Sequence, residues 1–199
     1  FPTSKLVWYN NGENIDPTKL VLAYKVDIYA TEPMSRAYYF IDAQSGKVLG
    51  QKEILHTVDA VGTANTLYSG TQTIHSDNFN GTYRLRDYSR GNGVTTYDWS
   101  NNKNDITSTT ANFNLTGLPQ NGLDAHCGVE LTYDYYKANF NRNSLDNNGF
   151  LLNSYVNRGG FLYNNNASWD GNNMNYGKRS GTTNGVTAID VTGHELTHG

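Results

Sequence analysis

The sequence predicts an α+β fold, in which a small antiparallel β module precedes a β-rich lobe with two helices. Three observations predict it. The first 55 residues contain short strand-like segments, the following stretch is rich in Gly, Asn, Thr and Ser, and two later segments have helical patterns. The domain boundaries expected from this change in character are residues 1–56 for the β module and residues 57–199 for the lobe.

The β module is predicted from three segments. Residues 20–29 begin as an apolar run and then alternate, so that Tyr24, Val26 and Ile28 share one face. Residues 36–41 are predicted to form a second strand and residues 47–55 a third. Residues 42–46, between them, have the composition of a turn. A meander of this size buries little apolar surface by itself and needs a partner surface.

The first helix of the lobe is predicted to follow Asp124, whose carboxylate would act as its N-cap, and to end near residue 140. Cys127, Leu131 and Tyr135 recur at helical spacing in this segment. With Val129, Tyr133 and Tyr136 beside them, they are expected to form a broad apolar and aromatic face.

The last helix is predicted to begin near Thr187, and it contains the motif His194-Glu195-Leu196-Thr197-His198. Residues four apart on a helix lie on the same face, so both imidazoles can reach one ion. Neutral imidazole is a good zinc ligand, and zinc bound by a protein lowers the pKa of its water toward neutrality. Glu195 is adjacent to a ligand and suited to move the protons of that water.

The surroundings of this motif favour a metal site over two chance histidines. Val186, Ile189 and Leu196 form an apolar stripe that is expected to bury the helix. A buried histidine pair beside a carboxylate needs satisfied partners, and a metal ion supplies them.

The remaining candidates are assigned structural roles. His126 is expected to be a hydrogen-bonded core residue and Cys127 a small buried one. His56 and His75 are expected to be solvated.

Composition narrows the function classes. The net charge is −3 and the basic residues are scattered, so no nucleic-acid partner is predicted, and no apolar run is long enough for a membrane span. Cys127 is the single cysteine, which excludes an internal disulfide. The sequence opens without a signal peptide, so that a secretion signal would lie upstream, and we expect the chain to be a segment of a longer precursor.

Four groups of residues also follow one another in a recognisable order. They are Arg90-Gly91-Asn92-Gly93 with Thr96-Tyr97-Asp98, Asp124-Ala125-His126 with residues 132–137, residues 165–171 with Met174 and Tyr176-Gly177, and Ile189-Asp190-Val191 before the residues 193–198. This series resembles the thermolysin-like (M4) zinc metallopeptidases over most of the chain. The first 55 residues resemble the C-terminal part of that family's propeptide, a small β module often called PepSY.

The resemblance implies an extracellular, zinc-dependent endopeptidase that acts on polypeptide substrates. His194 and His198 would be zinc ligands and Glu195 the general base. Asn166 and the backbone of Ala167 would hold the substrate main chain along an exposed strand edge. The third zinc ligand, a Glu, and a His that stabilises the reaction intermediate come from a later helix in the family, beyond these 199 residues.

The resemblance further implies a structural Ca²⁺ and an internal partner. Asp190 matches a family aspartate that helps to bind calcium, although a carboxylate in the first turn of a helix is also favoured by the helix dipole. The enzyme's own propeptide would act as an intramolecular inhibitor and chaperone, and maturation is expected to cut between His56 and Gly62. The segment alone is expected to be inactive.

Two departures from the family pattern concern the substrate edge and its neighbourhood. Ser168 stands where a larger aromatic residue is common, and Lys178-Arg179 replace a turn that is commonly acidic, so no calcium is assigned there. Two alternatives stay open at this point: a non-catalytic β-rich binding or adhesion module with a chance motif, and a zinc peptidase of another clan.

Overall fold

The computed structural model describes residues 4–10, 17–31, 34–55 and 58–199. The chain divides into two compact units, Phe1–Val58 and Asp59–Gly199. Both contain β-sheet, and the second also contains two α-helices, so the predicted α+β class is confirmed. His56 lies outside the described residues.

The first unit is a four-stranded antiparallel sheet. Its strands are β1 (Ser4–Tyr9), β2 (Val21–Thr31), β3 (Met34–Asp42) and β4 (Val48–Leu55), paired in that order, and a short 3-10 turn at Pro17–Lys19 precedes β2. Strands β2, β3 and β4 are the predicted meander, whereas β1 was not predicted. The turn after β3 forms because Asp42 Oδ1 accepts hydrogen bonds from the backbone N–H groups of Gln44, at 2.9 Å, and Ser45, at 2.6 Å.

This sheet buries little apolar surface, as expected. Ala23 and Ala37 are its buried apolar residues within the described part of the chain. Tyr24 and Ile28, which share a face as predicted, are both exposed, and Leu6, which pairs with Tyr24 across the strands, is exposed as well.

The second unit contains two further sheets. One is ordered β11-β7-β6-β5, from strands β5 (Val58–Asn65), β6 (Thr71–Phe79), β7 (Thr82–Arg84) and β11 (Thr107–Ser108). The other is ordered β10-β9-β12-β14-β13, with β8 also paired to β9, from strands β8 (Arg86–Asp87), β9 (Val94–Asp98), β10 (Asn104–Asp105), β12 (Leu152–Arg158), β13 (Ala167–Trp169) and β14 (Asn173–Gly177). In the latter, β9, β12 and β14 are parallel, and β13 is an antiparallel edge strand. Short 3-10 turns lie at Trp99–Asn101 and Phe161–Tyr163.

Helix α1 (Gln120–Phe140) crosses the core and begins four residues before the predicted cap. Pro119 is its N-cap, and Asp124 lies inside the helix and is buried. The Asp124 carboxylate serves another segment, because it accepts hydrogen bonds from the backbone N–H groups of Leu67, at 2.6 Å, and Tyr68, at 3.1 Å. The prediction of Asp124 as a cap was therefore wrong: it ties the loop after β5 to α1.

The predicted apolar and aromatic face of α1 is buried only in part. Cys127, Val129 and Tyr133 are buried, whereas Leu131 is 46% exposed and Tyr135 58% exposed. The buried side chains lie mostly in the first half of the helix. This half is covered by sheet, whereas the second half leaves part of its aromatic side chains in solvent.

Helix α2 (Ile189–His198) packs against α1 at a close approach between Gly128 and Thr192. A Cβ atom on Gly128 would overlap Thr192 Oγ1 and lie 2.8 Å from Thr192 Cβ, so glycine is required there for the two helices to meet. Neither helix combines the length and the apolar character that crossing a bilayer needs, within the part of the chain that is described.

Candidate active site

Helix α2 is oriented by a buried face that consists of Thr192, Glu195 and Leu196. These positions recur at three- and four-residue spacing, as expected for one side of a helix. The predicted apolar stripe is only partly present, since Leu196 is buried and Val186 half-buried, but Ile189 is 48% exposed. Ile189 lies one turn before the contact of Thr192 with α1, so the packing of the two helices does not cover it.

His194 and His198 lie on the solvent side of α2, contrary to the buried pair that the stripe predicted. Their Nε2 atoms are 3.0 Å apart, and the two rings are perpendicular, with centroids separated by 4.6 Å. Two imidazole nitrogens bound to one tetrahedral zinc at about 2.0–2.1 Å would be about 3.3 Å apart. The arrangement therefore fits two ligands of a single zinc ion with a shift of only a few tenths of an ångström.

Glu195, between the two histidines in sequence, is buried, with 6% of its surface exposed. Its neighbour on the sheet is Tyr176 of β14, which is fully buried. Burial, and then the negative charge of Glu195, raise the pKa of Tyr176 well above its usual range. Tyr176 is therefore a neutral phenol near the carboxylate. This role of Tyr176 could not be predicted from the sequence, because nothing in the residue spacing indicates that β14 lies beside α2.

The strand edge predicted to bind a peptide main chain is present as β13. Ala167 is its first residue and pairs with Tyr176 on the inner side, and in the described sheet β13 has no strand on its outer side. Asn166 is exposed, and its side-chain amide donates a 3.0 Å hydrogen bond to the carbonyl of Leu162. Strand β13 also contacts α2, and Trp169 packs at Gly199 just beyond the motif. The structure thus places the edge strand β13 against the helix that carries the histidine pair.

Asp190 is exposed in the first turn of α2, where the helix dipole favours a carboxylate. In the described part of the chain it belongs to no group of three side chains that could hold a metal together. Its assignment to calcium therefore stays a prediction.

One such group of metal-ligating side chains does occur elsewhere in the described part of the second unit, and it was not predicted from the sequence. His75 of β6, Asp87 and Glu130 place ligand-type atoms within 4.8 Å of one another. The Arg90 guanidinium already lies among them, with Nη1 2.6 Å from Asp87 Oδ2, 3.1 Å from His75 Nδ1 and 3.6 Å from Glu130 Oε1. Arg90 thus supplies the positive charge that a metal would supply. The prediction that His75 is simply solvated was wrong.

Glu130 is the buried centre of this network. Its Oε1 accepts a 3.1 Å hydrogen bond from the His75 backbone N–H and lies 3.4 Å from His126 Nε2. Burial by itself raises its pKa, but His126, His75 and Arg90 together lower it to about 2. Glu130 is therefore a stable carboxylate that joins α1 to β6.

The two remaining residues of α1 follow their predicted roles. His126 is fully buried, with Nδ1 2.9 Å from Thr96 Oγ1 and Nε2 3.1 Å from the carbonyl oxygen of His75. Cys127 is buried, and burial raises the pKa of its thiol well above the ordinary range, so it is protonated and unreactive.

A helix that presents two converging imidazoles beside a buried carboxylate, next to an open strand edge, has the arrangement of a metallopeptidase. Comparison with known proteins gives the same class. Residues 61–199 match the family model described as "Thermolysin metallopeptidase, catalytic domain". The chain belongs to the thermolysin (M4) family of metallopeptidases.

Individual relatives agree with this assignment. Bacillolysin of Bacillus amyloliquefaciens is 35% identical over 91% of this chain, and bacillolysin of Brevibacillus brevis is 35% identical over 99%. An extracellular elastase of Staphylococcus epidermidis is 31% identical over 95%. Among solved structures, the precursor of protealysin, a metalloproteinase from Serratia proteamaculans, is 31% identical with a TM-score of 0.43, over 53% of this chain and 33% of that one.

The chain spans only part of these relatives, 36% of each bacillolysin and 39% of the elastase. The family membership excludes the alternative of a zinc peptidase from another clan.

Proposed function

We propose that this chain forms the metal-binding lobe of a zinc-dependent endopeptidase that cleaves polypeptides. The observation that carries the proposal is the 3.0 Å separation of the His194 and His198 Nε2 atoms, beside a buried Glu195. Membership of the thermolysin family supports it. His194 and His198 would hold zinc, which when bound supplies a Lewis acid and an acidified water.

The proton transfers fall to Glu195. Its carboxylate is buried near Tyr176, on the helix that carries both proposed metal ligands. In the proposed reaction Glu195 removes a proton from the attacking water and returns it to the amine that leaves. A zinc site of this type takes three protein ligands plus water, and we propose that the third comes from residues outside these 199.

The substrate would lie along β13. An extended peptide can add to an exposed strand edge, where main-chain hydrogen bonds give affinity without dependence on sequence. The backbone of Ala167 offers that edge, and Asn166 would release its bond to the Leu162 carbonyl or use its free amide oxygen to hold the peptide. Ser168 makes this edge less bulky than the family pattern, so less of the substrate contact would come from its side chain.

The proposal extends to the whole precursor. We propose that residues 1–56 are the C-terminal part of a propeptide that inhibits and assists the folding of the enzyme, and that residues 57–199 begin the catalytic domain. The name of the staphylococcal relative, extracellular elastase, supports the proposal that the enzyme is secreted. We also propose a structural Ca²⁺ in the complete protein, with Asp190 among its ligands.

Metal removal tests the proposal in the full-length protein, meaning the natural chain that contains these residues. We expect a chelator to abolish cleavage of an internally quenched peptide, and one equivalent of Zn²⁺ to restore it with calcium held constant. Full activity in metal-free protein would refute the proposal. A protein that binds no zinc at all and cleaves nothing would support the alternative of a non-catalytic binding module.

A further inference from the structure

Arg158, the last residue of β12, differs from the paired arginines of the same unit. Arg84, Arg86 and Arg90 each form an ion pair with an aspartate at 2.6–2.7 Å. Arg158 forms no ion pair with any carboxylate in the described part of the chain, and its Nε atom is buried without a hydrogen-bond partner there. A guanidinium that is partly removed from water in this way has donors left for an anion.

The aromatic residues around Arg158 hold its guanidinium in one plane. Its Cζ lies 3.5 Å from the centroid of the Trp99 ring and 4.5 Å from that of Tyr163. Nη2 donates a 3.2 Å hydrogen bond to the Tyr163 hydroxyl. Stacking covers the faces of the guanidinium and leaves its edge, which carries the N–H groups, for recognition of a planar carboxylate.

This group lines an open cavity of about 390 Å³. Lys178 lines the same cavity and adds a second positive charge, whereas no acidic residue lines it. Phe161, which is 95% exposed, and Tyr163 give the cavity an apolar side. The chemistry therefore suits a ligand with a carboxylate on an apolar stem, such as a glutamate side chain.

The cavity lies at the N-terminal end of the proposed substrate edge. Asn164 bridges to Lys178, and the Asn165 N–H donates a 2.9 Å hydrogen bond to the Lys178 carbonyl, so the chain passes from the cavity directly into β13. Asn165 has a left-handed backbone, with φ +56°, and the carbonyl oxygens of Tyr163 and Asn166 both lie against Gly177, so the chain turns between the cavity and Ala167. A peptide paired with Ala167 therefore ends near Tyr163 and Asn164, which line the cavity.

From this placement we infer that Arg158 and Lys178 form a subsite for an acidic side chain of the polypeptide bound along β13. The inference rests on the proposed function, because it takes the β13 edge as the place where substrate binds. It adds a preference for acidic residues at one position.

Binding to full-length protein carrying Glu195→Gln tests the subsite without cleavage. The probes are fluorescein-labelled ten-residue peptides with an apolar centre, in pairs that differ only by Glu or Gln at one position, scanned through every position. We expect one position at which Glu binds about tenfold more tightly than Gln, the size of effect expected for a partly desolvated charge pair.

Two neighbouring variants distinguish the subsite from general attraction. Lys178→Gln should reduce the Glu preference to about twofold, while Arg179→Gln, which removes the same charge from an exposed residue outside the cavity, should retain it. Arg158→Lys, which keeps the charge but not the planar fork, should also lose most of the preference. Thermal unfolding of each variant shows whether it is folded.

The outcomes separate the inference from the proposed function. No Glu preference at any position, equal losses in Lys178→Gln and Arg179→Gln, or binding of inorganic phosphate without a Glu preference would overturn the inference. If the Glu preference is present but wild-type protein cleaves none of the peptides, the subsite stands and the peptidase proposal fails. If peptides are cleaved with no preference for Glu, only the subsite fails.

Discussion

The Nε2 atoms of His194 and His198 lie 3.0 Å apart on the solvent side of α2. Two nitrogen atoms that direct lone pairs at each other would repel at this distance. Either one ring donates a proton to the other, or both nitrogens are directed at a common cation. In the second interpretation all three side chains of the motif have a chemical role, because the buried Glu195 lies on the same helix as both histidines. The predictions below follow from that interpretation.

Glu195→Gln in the full-length protein should leave zinc bound and lower kcat by about 10³-fold, because a general base contributes about 10²–10⁴-fold and the amide cannot take up the proton. Zinc content by mass spectrometry and turnover of a quenched peptide measure the two effects. Asp134→Asn is the control, since it removes one carboxylate from a half-exposed position of the other helix. More than a tenth of wild-type turnover in Glu195→Gln would contradict the role assigned to Glu195.

Gly128→Ala should destabilise the protein by about 1–3 kcal/mol, the usual cost of overpacking, because the new Cβ would overlap Thr192 where α1 and α2 meet. The same change moves α2, so zinc affinity should fall as well. Gly193→Ala is the control: its Cβ would lie 3.5 Å from Thr132 Oγ1, an ordinary contact, and the helix would gain up to about 1 kcal/mol from alanine. Chemical denaturation of both variants decides, and equal stability changes would contradict the packing described.

Glu130→Gln should cost stability in a pH-dependent way. The folded-state pKa of Glu130 is lowered from 4.5 to about 2, so its contribution is fully present above the unfolded-state pKa and is lost as the pH falls through the folded-state value. The difference in unfolding free energy between wild type and Glu130→Gln should therefore shrink between about pH 5 and about pH 2. Asp134→Asn, which removes the half-exposed partner of Arg90, should cost less at neutral pH. A difference that does not change with pH would refute the prediction.

Maturation is expected to cut the precursor between His56 and Gly62. Strand β5 begins at Val58, and paired strands resist proteases, so the cut is expected nearer the start of that range. N-terminal sequencing of the mature enzyme locates it, and a start beyond Ser69 would contradict the boundary. If the enzyme processes itself, the Glu195→Gln precursor should remain uncut.

Much of the fold could be predicted because local signals and the tertiary structure agree. The strands β2 to β4 alternate in sequence and pair in the structure, and Asp42 closes the predicted turn. Both helices lie where their patterns indicated, and the i, i+4 spacing alone brings the two imidazoles of α2 together. Such features depend on neighbours within a few residues.

The errors concern residues whose partners are distant in sequence. Asp124 has the side chain of a helix cap, but it binds backbone groups 56 and 57 residues away, which no local pattern reveals. His75 looked solvated because its partners Arg90 and Glu130 lie on other elements. Leu131 and Tyr135 share the predicted face of α1 with the buried Cys127 and Val129, and only the three-dimensional structure shows that the sheet covers the first half of the helix.

The most direct test of the account is the zinc coordination of the full-length protein, measured by X-ray absorption at the zinc edge. We expect one zinc per chain with two imidazole nitrogens at about 2.0–2.1 Å and oxygen ligands in the remaining positions. His194→Ala and His198→Ala should each weaken zinc binding by more than about 100-fold, and Thr197→Ala, between them on the same turn, should leave it unchanged. Stoichiometric zinc with no imidazole ligand, or zinc retained in both histidine variants, would contradict the account.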